Sequence, residues 1–443
     1  MYLIPRDILA AFPPPRHPWN VAELVDMVNA HLSHHEMIQF VRLTRRMDAA
    51  YSPALYRKIM QPRSFLKLLP TEEFPQYWSR LNAKAALVQI WVDDRKDERT
   101  DERSAIFWIC EQHPSRNNPA TLAPFRALRV LTLRDSTLEP HDLDALRGML
   151  ALEQIDFGTT NIPLRGRSLL RVLGGLDQLR ILKMLDITRW VLTPPKVPYQ
   201  MVGLFPELRT LEIRGDSKGV RCLFRCLPSC KLQRFRWSVA VGEGGGHSGN
   251  VCFDWEDWHW VKNAVSESLT DLQLWLPIPI GKNQLYRGNR IDQREFLLPH
   301  LKRFKLHASA HVHWGDIISL RHMPALEEVY AERLTWMTLV FFLNHARGHD
   351  GLVLFEVGHI LKGTHSMAIP WITPWDGLAL QSVRELVIRH EVDAAAEHVD
   401  TVVIFLLRCF PNLVKLECHG GADLGFEAMM GPVFEVLRAP TAT

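Results

Sequence analysis

The sequence has no uninterrupted apolar run of about 18 residues, the shortest that reads as a membrane span. It has no surplus of one charge either: 52 Lys and Arg stand against 49 Asp and Glu, which offers no bulk attraction to nucleic acid or to an anionic membrane surface. Its seven cysteines, an odd number scattered from Cys110 to Cys418, lack the paired framework of a small secreted domain. The opening MYLIPRDILAAFPPPRHP has no basic segment followed by an apolar one. The expectation from these absences is a soluble protein of the cytoplasm and/or nucleus, with neither membrane nor nucleic acid as partner. The glycine-rich GEGGGHSG (242–249) lacks the closing Lys-Ser/Thr of a phosphate-binding loop and reads as a flexible insertion.

What the chain does have is self-similarity. The pattern apolar-x-x-apolar-x-apolar occurs as LVQIWV (87), LRVLTL (128), LEQIDF (152), LRILKM (179), LRTLEI (208), LQRFRW (232), LTDLQL (269), LKRFKL (301), LEEVYA (326), LVLFEV (352), VRELVI (383) and LVKLEC (413). These hexamers recur about every 30 residues, with spacings from 24 to 41. Of the 36 slots between their apolar positions, 20 hold a charged residue, where the 23% chain average predicts about 8. Such period-2 alternation describes strands with one buried face. FPEL (205–208), LPHL (298–301), MPAL (323–326) and FPNL (410–413) place a proline just ahead of a strand, where it stops the preceding helix. HDLDALRGM (141–149) and TVVIFLLRCF (401–410) read as helices between strands. A single strand and helix cannot bury their apolar faces, whereas stacked copies share one core. DDRKDER (93–99) reads as a solvated loop or helix face, and the tryptophans of FDWEDWHW (253–260) as helix packing.

Together the twelve hexamers resemble leucine-rich repeats of the ribonuclease-inhibitor-like kind. The resemblance implies an α/β solenoid, a horseshoe over 87–430 with strands on its concave side and a protein as ligand. Ahead of it, Val21, Leu24, Val25, Val28 and Leu32 follow one helical face, Ser33-His34-His35-Glu36 forms a capping box before Met37, Phe40 and Val41, and Ser52-Pro53 opens a third helix toward Leu55, Tyr56 and Ile59. Residues 21–59 resemble an F-box: Glu23-Leu24, Val28, Leu32, Glu36-Met37, Leu43, Arg45, Pro53, Leu55 and Tyr56 occupy its motif positions, while the opening Leu-Pro is absent and Met47 stands where Trp or Phe is usual. An F-box ahead of leucine-rich repeats resembles the substrate receptors of SCF-type cullin–RING ubiquitin ligases, especially the large fungal sets. The organisation expected is an N-terminal tail (1–19), a three-helix F-box-like domain (20–60), a linker with capping helices (61–86), the solenoid of about twelve repeats (87–430) and a C-terminal tail (431–443).

What that resemblance implies is a bridge without catalytic residue or cofactor. Leu24, Val28, Leu32, Met37, Val41, Pro53, Leu55 and Tyr56 would dock on a Skp-family adaptor and its cullin complex. The outward strand positions, the third and fifth of each hexamer and the residue after it, would hold an unknown target protein. In mid-array they read Arg234 and Arg236, then Asp271, Gln273 and Trp275, then Arg303, Lys305 and His307, then Glu328 and Tyr330. The expected target-binding residues are Arg234, Arg236, Trp275, Arg303, Lys305, His307 and Tyr330, a basic stripe rich in the Arg, Trp and Tyr types that dominate interface energetics. An acidic or phosphorylated segment suits those arginines. Two other readings compete: a repeat scaffold unrelated to ubiquitin, and a metal-dependent enzyme built on His307, His311 and His313. Cys222, Cys226 and Cys230 lack the spacing of an iron–sulfur motif and read as buried thiols.

Overall fold

The structure, a computed structural model, describes residues 56–59, 85–93, 104, 106–107, 110, 125–134, 136–162, 166–188, 204–225, 227, 231–239, 261–276, 298–308, 323–346, 348–361, 379–390 and 405–418. The chain forms two compact units, Met1–Pro163 and Leu164–Thr443.

In the first unit four short strands pair in chain order, all parallel: β1 (Lys58–Ile59), β2 (Ile90–Val92), β3 (Val130–Thr132) and β4 (Gln154–Asp156). Helix α1 (Asp142–Gly148) lies between β3 and β4 in sequence, as its apolar spacing predicts. Two expectations change here. The segment read as a helix through Ile59 is helical at 56–57 but becomes β1 at Lys58, so the sheet has a strand ahead of residue 87. In the next repeat the buried positions are Val88, Trp91 and Asp93, not Leu87, Ile90 and Val92. Asp93, the first residue of the charged run expected to be solvated, is 1% exposed. Its carboxylate accepts from Ser104 Oγ, and from Trp91 Nε1 at 3.1 Å, so the buried charge has its donors.

The second unit contains α2 (Gly166–Gly174), β5 (Ile181–Asp186), β6 (Thr210–Gly215), α3 (Ser217–Phe224), β7 (Arg234–Val239), β8 (Asp271–Leu276), β9 (Arg303–Ala308), β10 (Glu328–Thr335), α4 (Trp336–Ala346), β11 (Leu354–Leu361), β12 (Glu385–Ile388) and β13 (Lys415–Cys418). Strands β5 to β13 also pair parallel and in chain order. Consecutive order is what a repeated strand–return unit must give, since every copy can only pack on its neighbours. Leu211, Phe235, Leu272, Phe304, Val329, Phe355, Leu386 and Leu416 stand opposite one another from strand to strand and are all buried. Each such side chain contributes roughly 1.5–3 kcal/mol of burial. Edge-to-face and stacked rings fill the space behind them, including Phe224 on Phe235 at 5.0 Å and Phe342 on Phe355 at 4.8 Å.

Register comes from the backbone. The carbonyl just ahead of each strand accepts two N–H groups from the following repeat: Arg180 from Arg209 and Thr210, Thr270 from Lys302 and Arg303, Arg384 from Val414 and Lys415. Across this unit these bonds run from 2.8 to 3.1 Å, which fixes every strand at one phase. The prolines expected to stop helices sit second in tight turns, with Leu208, Leu301, Leu326 and Leu413 N–H donating back to Phe205, Leu298, Met323 and Phe410. Proline favours that position because its φ is already set. One apolar position shifts: a bulge in β5 turns Met184 outward, 39% exposed at φ 54°, and Leu185 takes its place in the core.

Candidate interaction surface

Alternation along each strand puts the charged slots on the face opposite the core. Register then assembles them into rows. One runs Thr210, Arg234, Asp271, Arg303, Glu328, Leu354, Glu385, Lys415, and the next Glu212, Arg236, Gln273, Lys305, Tyr330, Glu356, Val387, Glu417. In the third, Trp275 stands opposite His307, and Glu332 follows Ala331 at the end of the β9–β10 pairing. All the expected target-binding residues therefore share one face: Arg234 and Arg236 on β7, Trp275 on β8, Arg303, Lys305 and His307 on β9, Tyr330 on β10.

The arginines do not stand alone. Asp271, 5% exposed, holds Oδ2 at 3.4 Å from Arg234 Nε and 3.5 Å from Arg303 Nε, so one carboxylate lies between two guanidinium groups. Its Oδ1 is buried without a hydrogen bond. Arg236 approaches Glu212 at 3.7 Å. Beyond β9 the sign reverses, with Glu328 and Glu332 on β10 and Glu356 on β11 at outward positions. Glu356 is buried at 6% exposure and bonded by Arg389 Nε, which raises the arginine's proton affinity further.

At the centre three rings lie side by side. Trp275 and His307 stack at 4.6 Å with planes 4° apart, and Tyr330 tilts against the other side of His307 at 4.7 Å. Burial pushes the imidazole down to about 4, with Lys305 and Arg236 adding to the shift and Glu356 opposing it. His307 is thus neutral at pH 7, and its 3.8 Å approach to Glu332 is a dipolar contact, not an ion pair. Burial, then Glu332 and Glu356, lift the Tyr330 hydroxyl to about 12, with Arg389 pulling the other way.

His311 and His313 lie outside the described residues, and among the described residues no group of three metal-ligating side chains occurs. Also outside are Leu24, Val28, Leu32, Met37, Val41, Pro53 and Leu55, the segments 242–249 and 253–260, and Cys226 and Cys230; Cys222 is half-buried in α3. Tyr56 is described and buried. Among the described residues no helix is long and apolar enough to cross a membrane. Sequence reasoning missed Asp271 and Glu356 as organising groups. Their polarity at outward slots was visible, but their partners are 32 to 37 residues away and only register supplies them.

No protein-family model and no curated protein matches the chain. Among solved structures it is similar to the APL1 leucine-rich repeat domain, at 13% identity and TM-score 0.30, covering 81% of this chain and 78% of that one. It is also similar to a leucine-rich-repeat protein of Leptospira interrogans, at 13% identity and TM-score 0.25, covering 73% of this chain and 82% of that one.

Proposed function

We propose that this chain is a leucine-rich-repeat protein, a non-catalytic receptor that holds a target protein on the outward face of β7–β11. The observation that carries the reading is the row of three rings, Trp275, His307 and Tyr330, set among charged side chains whose geometry register fixes. A rigid aromatic centre within a polar surround is the usual make-up of a protein-binding hot spot. The resemblance of residues 21–59 to an F-box supports a more specific role, substrate recognition for an SCF-type ubiquitin ligase. In that role the chain docks on a Skp-family adaptor and brings a target lysine close to the charged conjugating enzyme, so the rate gain is one of effective concentration.

Co-expression with a Skp-family adaptor tests the ligase role. Stoichiometric co-purification is expected, with loss of the adaptor when Leu24 and Leu32 are both changed to Asp. An adaptor that never co-purifies with a folded chain removes the ligase role and leaves a repeat scaffold that binds proteins.

A further inference from the structure

We infer that the occupant of the β7–β11 face is an extended peptide segment of opposite charges at its two ends, acidic over Arg236 and Lys305, apolar or aromatic over Trp275 and His307, and basic over Glu328 and Glu332. This rests on the reading of that face as a protein-binding surface and specifies its ligand.

The charge distribution carries the argument. Outward positions of β7, β8 and β9 hold four cations, Arg234, Arg236, Arg303 and Lys305, against the single carboxylate of Asp271. Outward positions of β10 and β11 hold Glu328, Glu332 and Glu356, and Arg333 is the one Lys or Arg on these two strands, half-buried beside Glu332. Asp271 lies between two arginines and Arg389 occupies Glu356. Among the described residues, Lys305 and Glu328 have no ion-pair partner, and Glu332 has no cationic partner, its 3.8 Å contact being with the neutral His307 ring. A purely acidic ligand would be drawn to one half of this face and repelled by the other. The rings sit on the line where the sign changes, Trp275 and His307 on the cationic side and Tyr330 on the acidic side.

The spacing sets the ligand's length. Adjacent strands lie about 4.8 Å apart, so the middle of the cationic half is about 12 Å from the middle of the acidic half. An extended peptide laid across the strands advances about 3.3 Å per residue, which places its opposite charges about four residues apart.

The test uses the full chain and three fluorescent heptapeptides read by anisotropy: Glu-Glu-Gly-Phe-Gly-Lys-Lys, and versions with all four charged positions acidic or all four basic. The bipolar peptide is expected to bind at least about tenfold tighter than either single-sign peptide. Arg236→Glu with Lys305→Glu should weaken it about tenfold, and so should Glu328→Lys with Glu332→Lys. Combining all four changes should restore binding, because the peptide can turn end for end; a face damaged by misfolding could not recover in this way. Equal or tighter binding of the acidic peptide, indifference to the Glu328 and Glu332 changes, or no saturation of any peptide by about 1 mM overturns the inference. Adaptor co-purification does not involve these four side chains. A winning acidic peptide therefore defeats the bipolar ligand while the receptor reading stands.

Discussion

His307 shows how much a single side chain's surroundings decide. As the first histidine of LKRFKLHASAHVH it invites a metal reading, yet it lies flat against Trp275 with Tyr330 on its other side. A ring so enclosed resists protonation, which links it to stability. Its folded value, about 4, lies below the ordinary 6.5, so between those limits the unfolded chain binds more protons than the native one. Stability from this site is complete above pH 6.5 and is lost as pH falls toward 4. Compared with His307→Gln, the native protein should lose on the order of 1–2 kcal/mol between pH 7 and pH 4 by urea denaturation, partial exposure of the ring reducing the full effect. Parallel pH profiles for the two proteins would sink this account. The identity of the outward residues was legible in the sequence, because a period of two assigns faces unambiguously. Their pairing was not, since Arg234, Asp271 and Arg303 come from three repeats and meet only through register.

Elements follow local rules that the sequence states openly in most places. The turn ahead of β13 has Pro411 second and buried Phe410 and Leu413 at its ends, and the helix before it stops at Cys409. Helix α3 begins at Asp216, whose carboxylate accepts from Gly219 N at 2.7 Å. Asp216→Ala should cost about 1 kcal/mol in denaturant unfolding and Asp216→Ser much less; equal losses would show that the cap is not the source. Local rules mislead where two periodicities coincide. Tyr56 and Ile59, three apart, suit one side of a helix and equally the first two apolar positions of a repeat, and β1 takes the second option. Trp91 was missed as a core position because Ile90 and Val92 beside it are equally apolar, so alternation could not choose the face. Gly358 has a stricter reason for its identity: a Cβ there would collide with the Glu332 carbonyl oxygen of the neighbouring strand, so the outward row narrows to bare backbone beside that carboxylate.

At the scale of the molecule, energies should be local along the array. Phe224 and Phe235 touch edge to face, whereas Phe235 on β7 and Phe355 on β11 are four strands apart. Alanine at Phe235 and Phe355 should therefore destabilise additively, within about 0.5 kcal/mol, while Phe224 with Phe235 should show a coupling of about 0.5–1.5 kcal/mol. Additivity in both pairs, or in neither, would contradict nearest-neighbour energetics. That the strands recur and stack in order was readable from recurrence alone, because a sheet needs its alternation in every copy. The division near residue 163 was not, since it depends on which segments pack together and not on any one motif.

The carbonyls that each receive two N–H groups from the next repeat have a consequence for change over time. They lock each strand to the one before it by backbone atoms alone, whatever side chains follow and however long the return segment is. Spacings from 24 to 41 residues thus converge on the same phase. Insertions in the returns and substitutions at the outward slots can accumulate independently, so such a chain can acquire a new partner without relearning how to fold.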